Sequence, residues 1–417
     1  MILGKGFSLY LKPKTYFMEV IHLIAGKINP NRINGINKVV HEMATNQVLQ
    51  GYAVQVWRIT SHPRNDYPQR NFTTRLFRSC ADPFRIDHLL KQALLEKRGR
   101  IVVHIHGGFI PVFFSIGRFL DRERIPFVIT PHGTYNKGAM RENALWKKIY
   151  FRCLEKHLLN RASYIHLLGQ SEREELGTLY PNRKSLTIPY GFSRPNHLPV
   201  QEKAGVFSVV YCGRLVRYSK GLDILLEGFA LFNRRHPESQ LILIGDGREK
   251  ESLRDMCRDL GLHTSVVFKG SLFGEEKVRM LQEAHVYAHP SRTYGLPAMI
   301  VEAAALGLPC LVSEATNMGA FIDRFDAGYT MKDLAAGECC KGLGCLYDRI
   351  VAESEEKLLQ YNAGVMIDTI FDWTRILRHF DDIYRQALGH MRFDKIDSQL
   401  IIHPMKTNLS GPFVRTL

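Results

Sequence analysis

Short runs of apolar residues alternate with longer amphipathic stretches along most of the chain. The apolar runs are rich in valine, isoleucine and leucine, which is typical of strands buried on both faces of a parallel sheet. The stretches between them repeat apolar residues at helical spacing, so the pattern predicts two α/β units of the doubly wound kind. The predicted strands are 17–24, 53–59, 100–105, 126–130, 164–168 and 185–188 in the first unit, and 207–212, 240–244, 266–269, 286–288 and 309–312 in the second.

A segment without clear periodicity, residues 189–205, separates the two series of strands. It contains three prolines, as is typical of a hinge. A length of 417 residues with 45% hydrophobic content is enough for two domains with cores of their own. We therefore predict an N-terminal domain at 1–190, a C-terminal domain at 191–371 and a helix at 372–390. The tail at 391–417 has no strong pattern, and its role is unknown.

The chain is expected to stay in the cytoplasm, because no secretion signal is recognisable. The longest apolar run, 101–117, contains two histidines, a Gly-Gly pair and a proline, so no membrane-spanning helix is predicted. The eight cysteines are expected to be reduced thiols, most of them at apolar positions such as Cys212 and Cys310. The cluster GECCKGLGC lacks the paired CxxC spacing of a zinc site, which favours thiols without a metal.

The net charge of +15 comes from the first half of the chain. Residues 1–200 hold 30 Lys and Arg against 13 Asp and Glu, and the remaining residues hold 26 against 28. A basic half indicates a polyanionic partner, either nucleic acid or an anionic membrane surface. No zinc-finger, RNA-recognition or basic-zipper signature accompanies the charge, which disfavours nucleic acid. We expect peripheral binding to the inner face of a membrane.

One predicted helix, residues 143–159, could make that membrane contact. Its apolar face would consist of Leu145, Trp146, Ile149, Tyr150, Cys153, Leu154 and Leu158, surrounded by Lys147, Lys148, Arg152 and Lys156. An ordinary core helix with a solvated basic side is the alternative, and the sequence leaves both open.

Loops after the strands are the candidate ligand contacts, because open parallel sheets bind ligands beyond the carboxyl ends of their strands. In the first half, Gly35 stands before a helix, His104 and His106 lie at the end of the third strand, and His132 follows the fourth. The first two histidines could ligate a metal. Since no third ligand is evident nearby, we favour structural or cleft histidines.

The second half carries a stronger pattern. Its first strand ends at Gly213, and Arg214 and Lys220 flank the loop that follows. Two fixed cations there can neutralise a diphosphate leaving group without a metal ion. The next strand runs into a second glycine loop, which contains Gly245 and Gly247.

Residues 289–309, HPSRTYGLPAMIVEAAALGLP, predict a short strand, a glycine-proline turn and a helix. A helix that begins at Gly295, Leu296 and Pro297 offers backbone N–H groups to an anion. Glu302, about two turns further on, can bind hydroxyls beside that anion. This is the chemistry of a nucleotide-sugar site.

Taken in order, these motifs resemble the retaining glycosyltransferases of family 4. The resemblance covers nearly the whole chain and includes VVHIHGG, ITPHGTYN, IPYG, CGRLVRYSKG, IGDGREKESL, VVFKGSL and the 289–309 segment. The family has the GT-B fold of two facing Rossmann-like domains with parallel sheets and an interdomain cleft, and its final helix, here 372–390, crosses back to the first domain. The subgroup that this chain is similar to builds bacterial surface polysaccharides on lipid carriers.

The resemblance implies a hexosyltransferase that moves a sugar from a nucleotide-diphosphate sugar to a glycan or lipid-linked acceptor with retention. It implies no cofactor and no metal, and the sequence contains no Asp-x-Asp pair for a metal-bound donor. The catalytic residues would be His132, beside the transferred sugar, with Arg214 and Lys220 at the diphosphate. Glu302 would bind the ribose. The other donor-side residues would be Gly213, Gly245, Gly247, Tyr294, Gly295, Leu296, Pro297 and Ala298, and the acceptor-side residues Gly35, Asn37 and His106.

Tyr294 departs from the family pattern, which usually has a glutamate eight residues before the position of Glu302. A tyrosine cannot supply that negative charge at neutral pH, although its hydroxyl still forms hydrogen bonds. The departure therefore bears on which sugar is transferred. Two alternatives remain, a nucleotide-sugar epimerase of the same fold and a catalytically impaired relative that only binds nucleotide sugars.

Overall fold

Two parallel sheets form the framework of the protein. The computed structural model describes residues 18–26, 35–63, 69–136, 139–140, 144–193, 203, 205–293 and 295–389. The strands are β1 Glu19–Ala25, β2 Ala53–Thr60, β3 Thr73–Arg78, β4 Ile101–His106, β5 Phe127–Thr130, β6 Tyr164–Leu167, β7 Ser185–Thr187, β8 Ser208–Cys212, β9 Gln240–Ile244, β10 Val266–Gly270, β11 Val286–His289, β12 Cys310–Ser313 and β13 Gly328–Met331.

Helices connect the strands, as expected for parallel pairing. They are α1 Gly35–Leu49, α2 His88–Glu96, α3 Pro111–Arg122, α4 Ala144–Tyr150, α5 Lys156–Arg161, α6 Gln170–Leu179, α7 Arg217–Lys220, α8 Leu222–Asn233, α9 Lys250–Asp259, α10 Gly274–Gln282, α11 Ala298–Ala305, α12 Gly319–Phe325, α13 Ala336–Tyr347, α14 Glu356–Ile370 and α15 Trp373–Ala387. A π-helical turn, Phe151–Glu155, joins α4 to α5. In the part of the chain that the structure describes, no helix is both long and apolar enough to cross a bilayer.

The strand order confirms the predicted fold class of two α/β units with parallel sheets. The first sheet has the order β3-β2-β1-β4-β5-β6-β7, and the second β10-β9-β8-β11-β12-β13. The prediction missed β3 and β13, which lie at sheet edges. An edge strand has fewer buried positions, and β3 is mostly exposed or half-buried, so its sequence lacks the continuous apolar run of a central strand.

Strand β8 shows why the sequences of the central strands are continuous apolar runs. Val209 and Tyr211 face one core, which includes Phe229 of α8, whereas Val210 and Cys212 face a second core on the opposite side of the sheet. Successive side chains of a strand point to opposite faces, so a sheet covered on both sides needs apolar residues throughout.

The chain divides into two compact units. One contains the described residues up to Thr130, together with Tyr150–Tyr164 and the segment that begins at Ile383. The other contains Pro131–Ile149 and Ile165–Asp382. The domain limits at residues 190 and 371 stay a prediction. The tail at 391–417, Tyr294 and most of the 189–205 segment lie outside the described residues.

Candidate functional site

Glycines hold the loops after β8 and β9 in direct backbone contact. A Cβ atom on Gly245, which has φ of +139°, would lie 1.9 Å from the carbonyl oxygen of Gly213. A Cβ on Gly247 would lie 2.3 Å from the carbonyl oxygen of Leu215. Larger side chains would therefore push the two loops apart, which explains glycine at both positions. The structure thus brings the predicted Gly213, Gly245 and Gly247 together.

Arg214 and Lys220 lie close enough to influence each other. Arg214 is exposed in the loop after β8, and Lys220 is half-buried at the end of the short helix α7. Burial, followed by the nearby Arg214 guanidinium, lowers the pKa of the Lys220 ammonium. Two cations in proximity repel each other, and an anion placed between them would relieve that repulsion. This is the electrostatic arrangement expected of a phosphate site.

The turn before α11 offers fewer amides than the sequence led us to expect. The Gly295 N–H donates to the carbonyl oxygen of Ala315 at 3.2 Å. Pro297, the N-cap residue of α11, has no N–H at all. Within the turn Gly295–Ala298, the amides of Leu296 and Ala298 are therefore the candidates to bind a phosphate, and this role stays a prediction.

Glu302 forms an ion pair that the sequence did not reveal. The Lys277 ammonium of α10 contacts Oε1 of Glu302, and the two side chains are only 17% and 12% exposed. Both groups lie near the Cys212 thiol at the end of β8, because burial raises the pKa of that thiol, the Lys277 charge lowers it and the Glu302 charge raises it. Lys277 is therefore a third cation at this end of the second sheet. No motif marks it, since it lies in an ordinary amphipathic helix.

His289 is a second residue of this region to which the sequence assigned no role. It ends β11 with its ring buried, and its Nδ1 lies 3.1 Å from the Tyr287 hydroxyl, which donates to the Cys212 carbonyl at 3.1 Å. Burial, followed by the Lys220 charge, lowers the pKa of His289 to about 3. The ring is therefore neutral and belongs to the surroundings of Lys220.

His132 follows β5 in a backbone conformation that is unusual for its residue type. Its φ is +56°, in the left-handed region, which costs a non-glycine residue about 1 kcal/mol or more. Its Nδ1 is hydrogen-bonded to the Tyr190 hydroxyl, and the rings stack with centroids 5.8 Å apart. Burial, followed by His166, lowers the pKa of His132 to about 3, so the ring is neutral at physiological pH.

The backbone beside His132 is fixed by one carboxylate. Glu172 of α6 accepts hydrogen bonds from the Gly133 N–H at 2.6 Å and from the Leu168 N–H at 2.8 Å. Charge-assisted bonds of this kind are about twice as strong as neutral ones. The loop is thus held to the first turn of α6, and the strained conformation of His132 persists because its neighbours hold it.

Three buried histidines meet in the first sheet. His22 of β1 pairs in register with His104 of β4, and His106 lies two residues further along β4, so the three rings share one face. Their ring nitrogens lie within 4.8 Å of one another. The statement that no third candidate ligand accompanies His104 and His106 is therefore wrong, because strand pairing brings in His22.

The ring nitrogens of this histidine cluster have protein partners. Nε2 of His22 donates to Oε1 of Gln47 at 2.6 Å, and its Nδ1 lies 2.9 Å from Nε2 of His106. His104 is hydrogen-bonded at 2.6 and 2.7 Å to the hydroxyls of Thr130 and Tyr384. Burial lowers the pKa of His22 to about 4. The cluster is a network of hydrogen-bonded rings beneath α1 and α15.

The remaining acceptor-side predictions fall on α1. Gly35 begins that helix and Asn37 is 7% exposed in its first turn. Residues 27–34, which lead into the helix, lie outside the described residues. The acceptor-side roles of Gly35, Asn37 and His106 stay predictions.

The helix predicted at 143–159 corresponds to α4, the π-helical turn and α5, and some of its apolar residues are buried whereas others are exposed. Tyr150 and Leu158 are buried, whereas Leu145, Trp146 and Ile149 are 75%, 53% and 55% exposed. The prediction of one common apolar face is therefore wrong. Lys148 of α4 is exposed as well, and so are Arg152 and Lys156 further along the chain.

Two protein-family models match adjacent parts of the chain. The model described as Glycosyltransferase Family 4 matches residues 33–193, and the model described as Glycosyl transferases group 1 matches residues 194–338. An uncharacterized glycosyltransferase of Haemophilus influenzae is 26% identical over 71% of this chain and 81% of the relative. The putative glycosyltransferase EpsF of Bacillus subtilis is 31% identical over 60% of this chain and 65% of the relative.

Solved structures share the fold at low sequence identity. HepE of Anabaena, solved in complex with UDP, superposes with a TM-score of 0.68 at 17% identity, over 90% of this chain and 100% of HepE. HepE has also been solved with UDP-glucose. Since such neighbours are GT-B glycosyltransferases, the predicted GT-B fold is confirmed.

Proposed function

This chain belongs to glycosyltransferase family 4, and on that basis we propose that it transfers a hexose from a nucleotide-diphosphate sugar to an acceptor hydroxyl. The observation that carries the proposal is the pair of cations Arg214 and Lys220 at the end of β8, within reach of each other's charge. The paired Glu302 and Lys277 lie at the same strand end. HepE, which was solved with UDP and UDP-glucose, supports a uridine nucleotide as the first donor to test.

In the proposed reaction, the bond between the anomeric carbon and the diphosphate oxygen breaks, and the acceptor oxygen bonds to that carbon with retention. The hydroxyl proton of the acceptor passes to the departing diphosphate oxygen, and the nucleoside diphosphate leaves with the electron pair of the broken bond. Arg214 and Lys220 stabilise the charge that develops on the leaving group, and no metal ion is needed for that purpose. Glu302 accepts hydrogen bonds from the ribose hydroxyls, and neutral His132 donates one to the transferred sugar.

The acceptor is proposed to be lipid-linked and to be reached at an anionic membrane surface. The exposed Leu145, Trp146 and Ile149 support this proposal, because apolar side chains flanked by basic ones are typical of helices that lie in a membrane interface. Ile149→Asn is expected to weaken binding to phosphatidylglycerol vesicles. Leu89→Asn is the matched control, since Leu89 on α2 is as exposed as Ile149, at 55%. An equal loss of vesicle binding in both variants would contradict the proposal that α4 contacts the membrane.

The decisive experiment is an assay of UDP-sugars with and without a lipid-linked acceptor, analysed by mass spectrometry. Transfer requires both substrates, whereas an epimerase would convert the donor alone. Lys220→Met is expected to lower turnover by about a hundredfold or more, as removal of one preorganised electrostatic group does. Arg258→Met, on the exposed side of α9, serves as the control. Undiminished transfer in Lys220→Met would refute the role of Lys220 at the diphosphate. If the wild type binds UDP-sugars but converts none of them, a catalytically impaired relative is favoured.

A further inference from the structure

The hydroxyl of Tyr190 has a single hydrogen-bond partner in the described part of the chain, Nδ1 of His132. Tyr190 comes shortly after β7, and its ring stacks on that of His132 with an interplanar angle of 24°. The ring of His166 meets the Tyr190 ring edge-on, with centroids 6.1 Å apart. Tyr190 is therefore held by two aromatic contacts, and its polar atom is directed at one ring nitrogen.

The protonation states fix the direction of this hydrogen bond. Burial, followed by the Glu172 charge, raises the pKa of Tyr190 well above 10, so the phenol keeps its proton. Neutral His132 carries one ring proton. If that proton were on Nδ1, two hydrogens would face each other, or the phenol O–H would turn away from its one acceptor in the described part of the chain, which is costly. The phenol therefore donates to Nδ1, and the ring proton of His132 resides on Nε2.

The hydrogen bond from Tyr190 fixes the orientation of the His132 ring. The backbone of His132 is held at φ of +56° by the Gly133 and Glu172 contact, but a fixed backbone does not by itself fix the ring. A hydrogen bond to one ring nitrogen selects the tautomer and aims the other nitrogen. We propose that Tyr190 is a positioning residue, which makes His132 present Nε2–H as a hydrogen-bond donor to the transferred sugar. This role rests on the proposed transferase function.

Tyr190→Phe tests the inference, because it keeps both aromatic contacts and removes only the hydroxyl. Nitrogen-15 NMR of histidine-labelled protein, with the His132 signals assigned by their loss in His132→Ala, reports the tautomer independently of any activity. We expect the wild type to show Nε2–H and the variant to show a mixture of tautomers. We further expect kcat to fall about tenfold, as for one lost hydrogen bond, with the donor KM changed less than twofold.

Two further variants separate positioning from a general structural effect. Tyr329→Phe removes a tyrosine hydroxyl bonded to Glu338 at 2.9 Å and should leave kcat and the His132 tautomer unchanged. The double variant Tyr190→Phe with His132→Ala should be no slower than His132→Ala alone, because both changes act through one ring. An unchanged His132 tautomer in Tyr190→Phe overturns the inference whatever the activity, and so does an unchanged kcat or an additive double variant. If the wild type transfers no sugar at all, the proposed function fails while the tautomer measurement still stands.

Discussion

Replacing Lys277 with methionine should affect both the stability of the protein and its affinity for nucleotides. Methionine fills a similar volume but removes the ammonium that contacts Glu302. Breaking a fully buried ion pair from one side typically costs about 3–5 kcal/mol. The side chains here retain 17% and 12% exposure, so solvent can partly compensate the charge of the unpaired carboxylate. We therefore expect a loss of about 2–3 kcal/mol in the free energy of unfolding.

A loss of that size corresponds to a decrease of about 5–10 °C in Tm for a cooperative unit of about 200 residues. Differential scanning calorimetry provides the measurement. Arg279→Met is the matched control, because Arg279 lies on the same helix and pairs with Glu283 at 3.8 Å, but its side chain is 59% exposed. An exposed pair contributes at most about 1 kcal/mol, so the control should shift Tm by less than half as much.

Nucleotide binding gives an independent readout of the same perturbation. Without Lys277, the Glu302 carboxylate loses the ammonium that contacts it and is less firmly held in one orientation. We expect the affinity for UDP, measured by isothermal titration calorimetry, to fall about tenfold, since charge-assisted hydrogen bonds contribute about 1.5–3 kcal/mol. In the double variant with Glu302→Gln, the stability should largely recover and the UDP affinity should not. The reasoning is refuted if Lys277→Met and Arg279→Met shift Tm equally, or if Lys277→Met binds UDP as well as the wild type does.

Three other predictions follow from single features of the structure. Donor affinity should fall at alkaline pH as the charge of Lys220 is lost at its lowered pKa, and Lys220→Arg should retain affinity to higher pH in titrations over a pH series. Gly221→Ala should destabilise the protein by about 2 kcal/mol or more in urea unfolding, because Gly221 has φ of +66° and the added Cβ would lie 1.9 Å from the Pro290 carbonyl oxygen. Gly261→Ala, with φ of +71° and open space around it, should cost about 1 kcal/mol. The free energy of unfolding should fall by about 2 kcal/mol per buried histidine such as His22 between about pH 7 and pH 5. The unfolded ring takes up a proton near its ordinary pKa of 6.5 and the folded one only near 4, so His22→Gln should reduce this pH dependence in urea titrations at both pH values.

The sequence was sufficient for those parts of the site that follow directly from the order of strands. Arg214 and Lys220 lie in the segment that follows a continuous apolar run, and in a parallel sheet such a segment lies at the ligand-binding edge. The glycines at 245 and 247 could be recognised for the same reason. Local chain order determines these placements, so they need no knowledge of packing.

The parts that the sequence did not reveal depend on contacts between distant segments. Lys277 meets Glu302 because α10 packs beside α11, and nothing in the spacing of these residues specifies that contact. His22 joins His104 through the register of β1 with β4. The Gly295 amide is satisfied by a carbonyl twenty residues further along the chain. In each case the sequence identifies the residue, but tertiary packing determines which distant residue it contacts.

Lys277 also changes the charge balance of the proposed donor site. With Arg214 and Lys220 alone, the Glu302 carboxylate would cancel half of the positive charge. The ion pair between Lys277 and Glu302 removes that cancellation, so the two cations at the end of β8 remain available to a diphosphate. The same ammonium contacts the carboxylate in a largely buried position, and a charged carboxylate is a strong acceptor for ribose hydroxyls. One lysine outside every recognisable motif thus neutralises the carboxylate at the strand end where Arg214 and Lys220 lie.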